Sequence, residues 1–226
     1  MNKRNFSLQF AGQTVFGDLY GEQCDVLILH GAGQSNRGRF ESLRLALLEQ
    51  GIGSGAFDFI GHGETAGELI GSSLAEREAL VKEVIESQQW QPKMVIGSSM
   101  SGYTTIKLSQ YVSFEHMVLR VPGIYTPEAY NVPFGPAFSE VIRRPNSWQQ
   151  SDAFEILSQY TGSVLILAAE NDSVIPLALV EALYKSCKSA ATCRLDVVPK
   201  ATHSNLYPSD AAFLNVVETI VSSLKR

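Results

Sequence analysis

The chain has 226 residues, 45% of them hydrophobic and 18% charged, with a net charge of −5. That balance suits one large α/β core and gives no reason to expect nucleic acid as a partner, since no Lys/Arg run departs from it. No apolar run approaches the ~20 residues a membrane span needs, so no membrane partner is expected.

MNKRNFSLQF has a basic start with no apolar segment behind it, so no signal peptide is expected. Three cysteines, Cys24, Cys187 and Cys193, form an odd set without metal-ligand spacing. They read as buried small hydrophobes in a reducing, cytoplasmic setting, with a Cys187–Cys193 bridge as the minor alternative. Phe6, Leu8 and Phe10 alternate, Gly12-Gln13 breaks the run, and residues 14–20 form a second extended piece, which together predict an edge hairpin. Val26-Leu27-Ile28-Leu29 is continuously apolar, as a strand covered on both faces should be, and ends in His30-Gly31-Ala32-Gly33. A helix is predicted over 38–50, with Phe40, Leu43 and Leu47 on one stripe and Gly51 as its stop. A short strand follows at Ser54–Phe57, ending in Asp58-Phe59-Ile60-Gly61-His62-Gly63. The next helix opens on the capping box Ser73-Leu74-Ala75-Glu76 and runs to about Gln88.

Met94 to Ile106, MVIGSSMSGYTTI, reads as strand, tight turn, helix. A serine at the apex of such a turn stands clear of the sheet, provided that the residues two before and two after are small. Gly97 and Ser101 meet that demand around Ser99, and a helix starting at Met100 aims its free N–H groups back at the serine oxygen. Another apolar strand covers Met117–Val121. Residues 122–160 break the alternation: they hold five of the nine prolines and the aromatics Tyr125, Tyr130, Phe134, Phe138, Trp148, Phe154 and Tyr160. This segment reads as a small insertion folded over the core. Val164–Ala168 is a buried strand ending in Glu170-Asn171-Asp172; Pro176 suits the first position of a helix with the stripe Val180, Leu183, Tyr184 and Cys187. Leu195–Val198 is the last strand, followed by Ala201-Thr202-His203, and Pro208 leads into an amphipathic helix through Phe213, Val216, Val217, Ile220 and Leu224. Strands alternating with helices imply a mostly parallel, doubly wound sheet whose working loops lie at the strands' carboxyl ends. His30, Asp58, Ser99, Asp172 and His203 all fall there.

A serine hydroxyl is a weak nucleophile that needs a base, and the base needs a carboxylate to hold its tautomer. Ser99, Asp172 and His203 supply these groups in the order nucleophile, acid, base. On these residues the chain resembles an α/β-hydrolase over essentially its whole length, 1–226 as a single domain with 122–160 as a small lid. The resemblance implies four roles. Gly97-Ser98-Ser99-Met100-Ser101 is similar to the nucleophile elbow, with Ser99 the nucleophile. His30-Gly31-Ala32-Gly33 is similar to the loop after the third strand, implying an oxyanion hole from the N–H groups of Ala32 and Met100. Asp172 and His203 match the acid and histidine loops. Asp58-x-x-Gly-His-Gly resembles a loop that shapes the floor near the site, and His30 and His62 read as loop-structuring residues. Two departures stand out: Ser101 and Ala201 occupy positions where the family usually has glycine, which predicts some strain at Ser101.

The implied activity is a serine esterase that cleaves a small or medium carboxylic ester, or a thioester, through an acyl-enzyme, with no metal and no organic cofactor. Tyr125, Phe134 and Trp148 are the candidates to line its substrate pocket. The alternatives are a hydrolase-fold receptor with little turnover and a peptidase of the same fold. Glu170 is the rival carboxylate to Asp172, and Ser98 and Ser101 are the rival nucleophiles. The sequence leaves oligomeric state open.

Overall fold

The structure is a computed structural model and describes residues 2–224. Eight strands form one sheet: β1 (Lys3–Phe10), β2 (Gln13–Tyr20), β3 (Val26–Leu29), β4 (Ser54–Phe57), β5 (Met94–Ser98), β6 (His116–Arg120), β7 (Ser163–Ala169) and β8 (Cys193–Val198). Their order is β1-β2-β4-β3-β5-β6-β7-β8. The β1–β2 hairpin joins antiparallel to β4, and every later neighbour is parallel.

The continuous apolar strands explain the layering. In β3, Val26 and Ile28 face one layer while Leu27 and Leu29 face the other, because strand side chains alternate. One layer holds α1 (Glu41–Glu49) and α7 (Asp210–Leu224), which bring Leu43, Leu47, Val216, Val217 and Ile220 onto the sheet. The opposite layer holds α2 (Leu74–Ser87), α3 (Ser101–Leu108), α5 (Ala153–Gln159) and α6 (Leu177–Ser186). Ser73 caps α2 by accepting the Glu76 N–H at 3.1 Å, as the capping box predicts. Among the described residues no helix is long and apolar enough to cross a membrane.

From β3 the chain first winds to β4 on one side and then crosses to β5 on the other. That reversal opens a crevice at the carboxyl ends of β3 and β5, where doubly wound sheets hold their ligands. The His30–Gly33 loop and Ser99 meet there.

Three local expectations are corrected. Pro176 is the N-cap of α6, one residue before its first helical position, with extended backbone. The buried stripe of α6 is Leu179, Val180, Leu183 and Ser186, while Tyr184 turns 43% exposed. Of the cysteines only Cys24 is buried; Cys187, which caps α6, and Cys193, which opens β8, are half-buried and free, and their thiols donate to the Leu183 and Tyr184 carbonyls at 3.3 and 3.9 Å.

Residues 122–160 carry a 3-10 turn at Pro127–Ala129, α4 (Pro136–Ile142), a second turn at Ser147–Gln150, and α5. Ile156 and Leu157 of α5 pack into the main core. Asp152 accepts from the Tyr103 hydroxyl of α3 at 2.6 Å and pairs with Lys107 at 2.9 Å, so the segment is strapped to the helix that follows Ser99.

Candidate active site

Ser99 lies between β5 and α3 with a left-handed backbone, φ +51°. A side chain at positive φ is uncommon outside glycine and marks a turn held in place by its surroundings. Three backbone hydrogen bonds do the holding: Ser99 N–H donates to Arg120, and the Ser99 carbonyl accepts from Gly102 at 2.8 Å and Gly123 at 2.9 Å. One close approach requires glycine and a second favours it. A Cβ at Gly97 would collide with Thr105 Oγ1 and the Ser101 carbonyl, and one at Gly31 would stand 3.0 Å from Ser99 Cβ. The strain falls on Ser99 and not on Ser101, correcting the expectation. Ser101 is the first residue of α3 and is fully buried.

The Ser99 hydroxyl lies 3.0 Å from His203 Nε2, and His203 Nδ1 lies 2.9 Å from Asp172 Oδ2. A carboxylate only accepts, so Nδ1 carries the proton and Nε2 presents its lone pair to the serine. Asp172 is fixed in turn: its Oδ1 accepts the N–H groups of Val174 and Ile175, each at 2.8 Å. Glu170, the rival carboxylate, is turned away and accepts the Lys200 N–H at 2.7 Å. Alanine fits at 201 because the left-handed residue of that loop is Lys200, φ +60°. The Ala201 carbonyl then accepts from Asn171 at 2.9 Å, tying the His203 loop to the Asp172 loop.

The loop after β3 runs against the serine. Ala32 lines the cavity beside Ser99, and among the described residues no backbone carbonyl takes the N–H of Ala32 or Met100. His30 beneath it is fully buried. Its Nε2 accepts the Phe59 N–H at 3.1 Å, which leaves Nδ1 to donate to the Gly31 carbonyl at 2.7 Å. Burial, together with the nearby Arg77 charge, holds its pKa well below the ordinary 6.5, so the ring is neutral. His62 lies tilted against it at 4.8 Å between centroids, and its Nδ1 bonds the Ile60 carbonyl. Both histidines structure loops, as read from the sequence. Asp58 accepts the N–H of Arg37 at 2.8 Å and that of Glu64 at 3.0 Å, and pairs with the Arg37 guanidinium.

Arg77 of α2 was not anticipated. It is 2% exposed, its guanidinium lies 3.5 Å over the Phe59 ring, and burial pulls its pKa down to about 9, still high enough to keep the charge at neutral pH. Its Nη2 donates to the His30 carbonyl and to Ser101 Oγ, both at 2.9 Å, while Ser101 Oγ donates to the same carbonyl at 2.5 Å. The serine that replaces a glycine in the elbow therefore ties α3 to the His30–Gly33 loop. The sequence carried one signal for this, a charged residue three positions after Leu74 on the apolar stripe of α2.

A cavity of about 500 Å³ opens beside Ser99 and His203. Tyr125, Phe134 and Trp148 do not line it. Phe134 is 5% exposed and packs edge-on against Phe138; Tyr125 lies between Tyr103 and Phe138; Trp148 packs on Phe154. Their apolar area is spent on the core. The walls instead include Arg39, Phe40, Arg120 and Tyr207, which sequence reasoning missed. For Arg120 the signal was a charge closing the apolar run of β6 at its carboxyl end.

Solved structures share this fold. An esterase from Exiguobacterium antarcticum is 19% identical, with 95% of this chain and 97% of that chain covered and a TM-score of 0.72. Est1E from Butyrivibrio proteoclasticus, solved with ferulic acid bound, is 18% identical over 98% and 100% of the chains, TM-score 0.75. A monoacylglycerol lipase from Paleococcus ferrophilus is 19% identical over 93% and 98%, TM-score 0.70. At such identities the likeness is one of fold. No curated protein matches the sequence. The family model described as Hydrolase_4, serine aminopeptidase S33, matches residues 22–151, from the approach to β3 through the elbow and into the inserted segment. With more than half of its length matched, the chain belongs to that family of α/β-hydrolases.

Proposed function

We propose that this protein is a serine hydrolase that cleaves a small or medium carboxylic ester, or a thioester, through an acyl-enzyme. The observation that carries the reading is the relay from Ser99 Oγ through His203 to Asp172, with contacts of 3.0 and 2.9 Å. Ser99 attacks the carbonyl carbon while His203 Nε2 takes its proton. His203 returns that proton to the leaving alcohol or thiol, and the acyl group stays on Ser99. Water then attacks the acyl-enzyme with His203 again as base, which releases the acid and restores the serine. Asp172 orients the ring and stabilises its charged form. The amides of Ala32 and Met100 receive the oxyanion, each donor contributing roughly 3 to 4 kcal/mol to the barrier reduction. A cavity of about 500 Å³ matches a substrate of small or medium size.

Active-site labelling tests the reading. A fluorophosphonate should modify Ser99 in the parent protein, and Ser99→Ala should lose both the label and nearly all turnover of p-nitrophenyl acetate through octanoate. Mass spectrometry that places the adduct on Ser98 or Ser101 would overturn it. Release that stops after one equivalent would mark a hydrolase-fold binding protein instead.

A further inference from the structure

The cavity beside Ser99 and His203 is cationic and has no carboxylate in its wall: Arg39 and Arg120 line it, and no Asp or Glu does. In a chain with 23 acidic and 18 basic residues that is an uneven placement. Two other arginines withdrawn from solvent are paired, whereas the buried Arg77 has no carboxylate partner among the described residues. Arg44 binds Asp18, and Arg37 binds Asp18, Asp58 and Glu64. Among the described residues no ion pair includes Arg39 or Arg120.

Arg120 is also held ready. It closes β6, and its guanidinium carbon lies 4.8 Å from the centroid of the Phe40 ring and 4.9 Å from that of Tyr207. Two aromatic neighbours restrain the guanidinium while its N–H groups stay available for hydrogen bonds. Its Nε is buried without a partner, and so is the Tyr207 hydroxyl in the same wall. Buried donors left unmet are costly, so two in one cavity wall point to a missing acceptor. Arg39 donates to the Ser204 carbonyl, next to His203, at 3.0 Å, which places the second cation on the base's own loop.

We propose that the substrate carries an anionic group, carboxylate or phosphate, that docks on Arg120 with Arg39 and the Tyr207 hydroxyl while its ester carbonyl lies at Ser99. This rests on the serine-hydrolase reading and narrows it to one substrate class. A planar guanidinium restrained by two aromatic rings matches the two oxygens of such a group in bidentate fashion.

The test compares charged and neutral partners of equal length. On the acyl side, mono-p-nitrophenyl glutarate is set against p-nitrophenyl pentanoate. On the alcohol side, the butyryl esters of 4-hydroxybenzoate and of 4-hydroxyphenyl phosphate are set against that of methyl 4-hydroxybenzoate. At least one anionic ester should exceed its neutral partner in kcat/KM by about 10- to 100-fold, the range for a hydrogen-bonded charged group. The arm that responds identifies carboxylate or phosphate and the side of the ester that bears it. Arg120→Met should bring that ratio close to one, Arg120→Lys should restore part of it, and raising the salt should lower it. A stacking role alone would leave the ratio untouched. Binding is read separately by calorimetry on Ser99→Ala, with glutaric acid monoanilide against pentananilide. If the parent turns over neutral esters while neither ratio nor binding favours any anion, the anion site is refuted and the hydrolase reading stands. If the parent is inert to every ester yet Ser99→Ala binds the charged anilide at least tenfold more tightly through Arg120, the anion site stands and the hydrolase reading falls.

Discussion

Asp172 divides its two oxygens between two tasks. One accepts two loop amides and the other meets His203. Asparagine at this position would keep the shape but present N–H to Nδ1, forcing the imidazole into the tautomer whose Nε2 is already protonated. Asp172→Asn should therefore lower kcat by on the order of 10⁴ with KM little changed. Glu170→Gln should leave kcat near the parent's, since its oxygen serves only the Lys200 amide. Inactivation by Glu170→Gln with Asp172→Asn still active would reverse the assignment of the acid. Residue type and chain order made Ser99, Asp172 and His203 legible, because nucleophile, acid and base chemistry allows few side chains. Arg77 and Arg120 were not legible in the same way. Their meaning depends on which carboxylates fail to reach them, and that is a property of tertiary packing.

At the scale of the element, short apolar runs bounded by turn residues located β3 and β4 to the residue, and the Ser73 cap located the start of α2. The inserted segment was harder. Its prolines read as breakers, yet Pro136 stands at the first position of α4, where a missing N–H costs nothing. Its aromatics read as pocket walls because composition cannot tell a ring that faces a ligand from one that faces a core. Phe134 also exchanges backbone bonds with the loop before α2, donating to Ser72 and accepting from Gly71. Phe134→Ala should thus cost about 3 to 5 kcal/mol of stability, as for buried aromatics in general, and leave the preference for acyl length unchanged. Denaturant unfolding and an ester series on the same variant decide the matter: an altered length preference at unchanged stability would return Phe134 to the pocket.

For the molecule as a whole, the doubly wound class followed from alternation of strand and helix, whereas the reversal of strand order at β3 left no mark in the sequence and became visible only in the sheet. That reversal puts two neutral histidines under the site, and they tie stability to pH. Burial lowers His30 well below 6.5 and also lowers His62. Unfolding restores both to the ordinary value, so below about pH 6.5 the unfolded chain binds protons that the folded chain refuses. Stability must then fall with pH, by up to about 1.4 kcal/mol per unit for each histidine. The urea midpoint should drop between pH 7 and 5, above the range where Asp18, whose carboxyl is lowered by Arg44 and Arg37 against the opposing effect of burial, begins to protonate. His62→Gln should flatten that slope; a midpoint constant from pH 7 to 5 in the parent would refute the linkage. The left-handed backbone at Ser99, φ +51°, has a different consequence for the whole chain. An L-residue pays about 1 to 2 kcal/mol there that glycine does not. The ordinary ranking of the two smallest residues should therefore invert, with Ser99→Gly outlasting Ser99→Ala on heating by about 2 to 4 °C for each kcal/mol relieved. A laboratory population screened for heat resistance alone, with nothing asked of it chemically, would accumulate glycine at position 99 and discard the proposed nucleophile.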